Sequence, residues 1–375
     1  MLRSHRLAVS VAAVSLTVFA ACAPPSDDGE DSTTESGVSA AEATSVEDFG
    51  GMESLVAAAE EEGELNVIAL PRDWANYGEL IDTFSEKYDI EVNEDQPTAA
   101  SQDEINAAND LAGTDRAPDV FDLGQSVALA NTDMFAPYKV ATFDEIPDEF
   151  KDPDGAWVND YGGYMSIGYD SAKVPDVTAV TDLLDPAYKG SVALNGDPTQ
   201  AGAAFSGVMM AAIADGGSAD DIAPGVDFFG QLKEAGNFLP VDPDSATIES
   251  GQTPVVIDWD YLGAAAAKNV STWTTVVPEE AVVAGYYFQA VNADAPHPAA
   301  ARLWQEFLYS DEGQNLWLKG GARPVRGDAM AEAGTIDQAL WDALPEVGGE
   351  PVIPTNEQTE KAAAYLAENW SKVIS

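Results

Sequence analysis

Apolar and polar positions along this chain alternate between helical and strand-like rhythms. The stretch ESLVAAAEEE (53–62) favours a helix, and Gly63 supplies a stop. LNVIAL (65–70) is a continuous apolar run, the pattern of a buried strand. From Tyr77, the positions Leu80, Ile81 and Phe84 fall at helical spacing, with Tyr88 one turn on. IEVNEDQ predicts a second strand, QDEINAANDLAG a helix ending at Gly113, and PDVFDLG (118–124) a third strand. This β-α-β-α-β order predicts a parallel, open sheet.

The middle of the chain repeats the theme. GGYMSIGYD (162–170) reads as a strand, SVAL as another, and an Ala/Met-rich helix runs to about Asp215. DIAPGVDFFGQLKEAGN gives a helix, VVIDW a strand, YLGAAAAKN a helix and VVAGYYFQAVN (282–292) a strand. After Pro298, residues Ala300, Leu303, Trp304, Phe307 and Leu308 form one apolar helix face, and 359–374 predicts a last helix. The chain therefore reads as one α/β unit, a second, and a return to the first. Strands around 164–169 and 284–291 are the natural crossings. Ligand sites in such arrangements lie between the units at strand C-terminal ends. That puts RDWANY, NGDPTQAG and DWD at candidate cleft positions.

The first 25 residues, MLRSHRLAVSVAAVSLTVFAACAPP, change the picture. Arg3 and Arg6 precede a 15-residue apolar run, Leu7–Ala21, which is too short for a membrane span and suits a secretory signal. Ala20 and Ala21 stand before Cys22, the only cysteine. This resembles a bacterial lipobox, with Phe19 where the usual pattern has Leu. The alternative is a plain signal peptide with a chance cysteine. The polar, acidic stretch that follows predicts a tether. The expected division is a signal peptide at 1–21, a tether at 22–50, a first lobe at 51–163, a second lobe at 164–288, and a return with C-terminal helices at 289–375.

Charge narrows the function. There are 17 Lys+Arg against 65 Asp+Glu, a net charge of −48. Such a surface repels nucleic acid and anionic lipid. Acids spread along the whole chain favour a role in solubility; the sharper reading is a field that draws in cations. With one cysteine and two histidines, internal disulfides, histidine triads and His/Cys metal clusters have almost no raw material. No Walker A motif or nucleophile elbow occurs, so no enzyme, cofactor or metal is expected. Paired carboxylates leave a hydrolase as the rival class.

The segments LVAAAEEEGELNVIA, LLDPAYKGSVALNGDP and AARLWQEFLYSDEGQNLWLKGGARPV, in that order, resemble extracellular solute-binding proteins of ABC importers. The similar group is type II, which includes spermidine/putrescine, ferric-iron and 2-aminoethylphosphonate binders. The resemblance covers about residues 53–330. It implies a two-lobed α/β fold of the type II periplasmic-binding-protein kind with an interlobe ligand cleft. It also implies a monomeric, lipid-anchored receptor that delivers a small solute to a membrane permease.

Within that group, the polyamine binders give the nearest site pattern. Their first-lobe Trp and Tyr, three apart, are matched by Trp74 and Tyr77. Their two loop acids are matched by Asp197, with Gln200 in place of the second. Trp259 matches a Trp at the next strand end. A further Trp and Asp are missing near Gly285 and Tyr287. Aromatic faces with carboxylates suit a cationic amine, and Asp258 completes that set. As alternatives, Trp74 and Tyr77 pack in the core, Asp197 makes a turn before Pro198, and Asp260 caps the next helix. Strand alternation sets Asp258 and Asp260 on one face and Trp259 on the other. A phosphonate would use the helix start after GDPTQAG together with Arg323. Ferric iron would use Tyr286 and Tyr287, which strand alternation points apart.

Overall fold

The structure, a computed structural model, describes residues 37–344 and 347–374. The expected signal peptide, Cys22 and most of the expected tether lie outside the described residues. The tether does not extend to residue 50. Ala40, Ala43, Val46 and Phe49 are buried among two short 3₁₀ turns. The buried guanidinium of Arg302 holds this segment by donating to the Ala41 and Ala43 carbonyls at 2.7 Å. A distant arginine supplies the anchor, so local composition did not reveal it.

The first lobe begins with α1 (Met52–Glu62), β1 (Glu64–Ile68), α2 (Tyr77–Tyr88), β2 (Glu91–Asp95), α3 (Ser101–Asp110), β3 (Val120–Leu123), α4 (Gln125–Ala130) and β4 (Phe135–Ala136). β5 (Val158–Asp170) then leaves it. The second lobe holds β6 (Val192–Leu194), α5 (Gly202–Ala214), α6 (Ala223–Ala235), α7 (Ser245–Ser250), β7 (Val255–Trp259), α8 (Asp260–Asn269) and β8 (Trp273–Val276). β9 (Ala284–Asn292) returns the chain to the first lobe for α9 (Pro298–Leu308), α10 (Asp311–Lys319), β10 (Arg323–Pro324), α11 (Gly327–Ala333) and α12 (Gln338–Trp341). α13 (Asn356–Ile374) closes the fold. None of the described helices is long and apolar enough to cross a membrane.

β1 and β2 pair in parallel, as the alternation predicts, but β3, expected in the same parallel sheet, pairs antiparallel with β9 in the larger one. The larger sheet is mixed, in the order β3-β9-β5-β7-β6. The long β5 belongs to both lobes. Its Val158–Tyr164 half pairs with β9, and Met165–Tyr169 pairs with β7. All of β9 lies in the first-lobe sheet, against β3 and β5. The return therefore begins at residue 284 rather than 289.

Helix periodicity decides the packing. Trp304 on α9 meets Phe84 on α2 edge to face, with ring centroids 5.0 Å apart. α5 is apolar all round and is buried along nearly its whole length. α13 does not stay with the first lobe. It packs on α4 of that lobe and on α6 of the second, where Trp370 meets Phe229 at 5.4 Å.

Candidate functional site

A cavity of about 800 Å³ lies between the lobes. Strand ends and helix starts form its walls. From the first lobe come the loop after β1, the start of α3 and Asp122 on β3. From the second come residues 195–197 and 200–203, the Asp242–Ser245 turn, Asp258 at the end of β7, and one face of α8. Tyr287 on β9 completes it.

Trp74 is half-buried in the cavity wall, on a constrained loop. Ala69, Ala75 and Asn76 all adopt left-handed backbone, with φ of 58°, 44° and 71°. Such conformations cost free energy for non-glycine residues and persist where the surroundings enforce them. Here Asn76 donates to the Leu316 carbonyl (3.0 Å), and Trp74 Nε1 donates to the Tyr161 hydroxyl (2.8 Å). Tyr287 meets Trp74 edge to face at 5.9 Å and stacks on Tyr161 at 5.4 Å. Two aromatic side chains are thus presented to the cavity by a fixed framework.

The lining is strongly one-signed. It contains nine carboxylates, Asp73, Asp103, Glu104, Asp122, Asp197, Asp242, Asp244, Glu249 and Asp258, and no lysine, arginine or histidine. Asp122 is held by two phenol hydroxyls. Its Oδ2 accepts from the Tyr77 hydroxyl at 2.6 Å and the Tyr161 hydroxyl at 3.1 Å, while its Oδ1 has no partner. The Asp122 amide donates to Glu104 (3.0 Å). Asp258 accepts from its neighbour's amide (2.8 Å) and from Asn195 (2.7 Å). Burial pushes the Asp122 and Asp258 carboxyls up to about 7 and Glu104 well above its usual range. Among the described residues no base offsets this desolvation.

Contacts between the lobes close the cavity at its mouth and inner end. The Gln102 amide donates to the Gln200 carbonyl at 3.3 Å, and Ser245 hydrogen-bonds Asp73 across the mouth. At the inner end, Gly124 and Gly202 meet backbone to backbone. A Cβ on Gly124 would lie 2.6 Å from the Gly202 Cα. Gly124 has φ of −63°, so it is this contact, not the backbone conformation, that requires glycine.

Of the residues singled out from sequence, the cavity brings together Trp74, Asp197, Gln200, Asp258 and Tyr287. Asp197 also makes the expected turn, accepting from Thr199 N and Oγ1. Tyr77 does not line the cavity; it is fully buried behind it and holds Asp122. Trp259 is likewise behind the wall, 3% exposed, with Nε1 donating to the Tyr287 hydroxyl at 3.3 Å. Arg323 is turned away to pair with Asp260 at 2.9 Å, stacked over Tyr164. Asp260 is not a cap. It is the first residue of α8, and its carboxylate accepts from the Tyr164 amide and Arg323. Tyr286 packs on Phe150, away from Tyr287.

Sequence reasoning missed Asp122 and Glu104. Each left a trace: an acid inside the apolar run VFDL, and an acid on the buried helix stripe with Ile105 and Ala108.

Solved structures share this architecture. A periplasmic binding protein called P5PA superposes with a TM-score of 0.66 at 19% identity, covering 84% of this chain and 100% of that one. AgtB from A. tumefaciens R10, solved with agropinic acid, gives 0.67 at 16% identity over 83% and 98%. PotD of Streptococcus pneumoniae, a spermidine/putrescine ABC-transporter substrate-binding protein, gives 0.55 at 16% over 83% and 99%. These likenesses show the fold, a mixed α/β architecture of the type II periplasmic-binding-protein kind. No curated protein sequence matches the chain. Residues 117–350 match the family model for bacterial extracellular solute-binding proteins, and the chain belongs to that family, whose members deliver small solutes to ABC-transporter permeases.

Proposed function

We propose that this protein is a lipid-anchored receptor for a small organic cation of the amine class, which it hands to an ABC import permease. The observation that carries this reading is the cavity lining, with nine carboxylates, no base, and Trp74 and Tyr287 beside them. Carboxylates with aromatic faces hold an ammonium or guanidinium group by charge-assisted hydrogen bonds and cation–π attraction. An anionic solute would meet an opposing field, and Arg323, its expected partner, is committed to Asp260. The tyrosine pair that ferric iron would use is split, with Tyr287 in the cavity wall and Tyr286 packed on Phe150.

Solute would contact both lobes and favour their closed arrangement, which the permease recognises. A thermal-shift panel tests the solute class. Putrescine, agmatine and related amines are expected to raise the melting temperature, and a ligand at a hundredfold excess over Kd adds about 2.7 kcal/mol of stability. Anions and neutral sugars are expected to leave it unchanged. A shift with anions alone would reject the cationic reading.

The anchor would be Cys22, which would become the acylated first residue of the mature chain. Cys22→Ala is expected to move the protein from the membrane fraction to the medium. Retention in the membrane fraction would rule that anchor out.

A further inference from the structure

We infer that Gly124 and Gly202 form the closure stop of the receptor. Their missing side chains let the lobes approach far enough to shut the cavity, and a methyl group on either one holds the mouth open. This rests on the two-lobed receptor reading and is independent of which solute it takes.

The contact at the inner end of the cavity carries the inference. Gly124 precedes α4 in the first lobe, and Gly202 opens α5 in the second. A Cβ on Gly124 would lie 2.6 Å from the Gly202 Cα and 2.9 Å from its N, and one on Gly202 would lie 2.7 Å from the Gly124 Cα. Non-bonded carbons rest at about 3.5–4.0 Å, so either methyl demands a separation of about 1 Å. The obstacle in each case is backbone, which cannot swing aside as a side chain can. Neither glycine can retreat into its own lobe. The Gly124 amide donates to Ser101 on α3 (3.0 Å), and its carbonyl accepts from the Val127 and Ala128 amides. Gly202 begins a helix that is buried along nearly its whole length. What remains free is the angle between the lobes. Opening that angle at the inner end opens the mouth as well, where Ser245 meets Asp73 and the Gln102 amide reaches Gln200. The backbone itself gives no other reason for glycine here. Gly124 has φ of −63°, Gly202 lies in a helix, and neither takes a left-handed conformation. Alanine suits both local conformations, so only the closed arrangement excludes it.

Cysteine cross-linking across the mouth tests this without a solute. Asp73→Cys and Ser245→Cys are placed in the full chain together with Cys22→Ala, which removes the only native thiol. Oxidation then traps each closed excursion as a disulfide. The disulfide is expected to form at least about tenfold more slowly when Gly124→Ala or Gly202→Ala is added, the factor that overpacking a close contact brings. Thermal scans of the reduced, solute-free variants are expected to give melting temperatures no lower than the parent's, because the open arrangement accommodates the methyl. Equal cross-linking rates would overturn the inference and leave the receptor reading intact. Slower cross-linking with a lowered melting temperature in both variants would overturn it too, since the glycines would then serve the fold rather than closure. If the cysteines never pair even with both glycines present, the lobes do not meet in this way, and the closing-receptor reading fails together with this inference.

Discussion

Asp122→Asn is expected to make the solute-free protein more stable than the native chain at about pH 8, by at least about 2 kcal/mol, and to lose that advantage as the pH falls towards 4. Burial raises the Asp122 carboxyl from 3.8 to about 7. In the unfolded chain it ionises near its ordinary value. Between those limits the folded protein keeps a proton that the unfolded chain has released. Stability from this group is therefore highest at low pH, falls as pH rises through the window, and levels off above about 7. Asparagine has no proton to lose. Its amide oxygen can take both phenol hydrogen bonds that Oδ2 accepts from Tyr77 and Tyr161. Acids held below their usual range, such as Asp48, Asp170 and Asp182, have the opposite sign but are common to both proteins and cancel in the difference. Asp258, also raised, leaves a residual slope of the same sign in the variant. Urea denaturation of both proteins at about pH 4.5, 6 and 8 measures the effect; parallel profiles would show that the group is ionised throughout.

A receptor that holds unpaired acids in a cavity is destabilised until a cation arrives, a common feature of binding sites. The solute then stabilises the fold most where the empty protein is weakest. The acidity of the rest of the surface is a separate matter. It follows the chain as a whole, whereas the lining is distinguished by its lack of any base.

Periodicity made the fold legible. The runs at 65–70, 118–124 and 255–259, and the helices between them, follow from hydrophobic spacing alone, and the site lies at the ends of those strands. Side-chain direction was harder to read. Alternation along VVIDW correctly separates Asp258 from Trp259, and the strand stays regular through that pair. It misleads at Asp260, because α8 begins there and turns the carboxylate to Tyr164 and Arg323. That ion pair joins residues 63 apart in the chain, a pairing that no local pattern encodes. Tyr77 leads the same stripe as Leu80, Ile81 and Phe84, so it falls in the core. Asp122 and Glu104 went unread because one acid in an apolar run carries no sign of the cavity beyond it.

Trp259→Ala is expected to cost about 3–5 kcal/mol of stability, the range for removing a buried indole. The outer carbons of the ring lie against Gly285, where a Cβ would meet Cη2 at 2.8 Å, and the ring is nearly parallel to Tyr261 at 6.4 Å. Its loss opens a hole beneath the cavity wall and removes the donor to Tyr287. Solute affinity would fall with it, but through Tyr287. Trp259→Phe separates the two effects. It keeps most of the packing, loses the N–H, and is expected to cost about 1 kcal/mol from the broken hydrogen bond. A residue that touches solute directly would behave in the opposite way, with affinity lost and the urea midpoint unchanged in the alanine variant. Denaturation midpoints for the two variants, measured without solute, decide between these outcomes. An unchanged midpoint for Trp259→Ala would bring the indole back into the cavity.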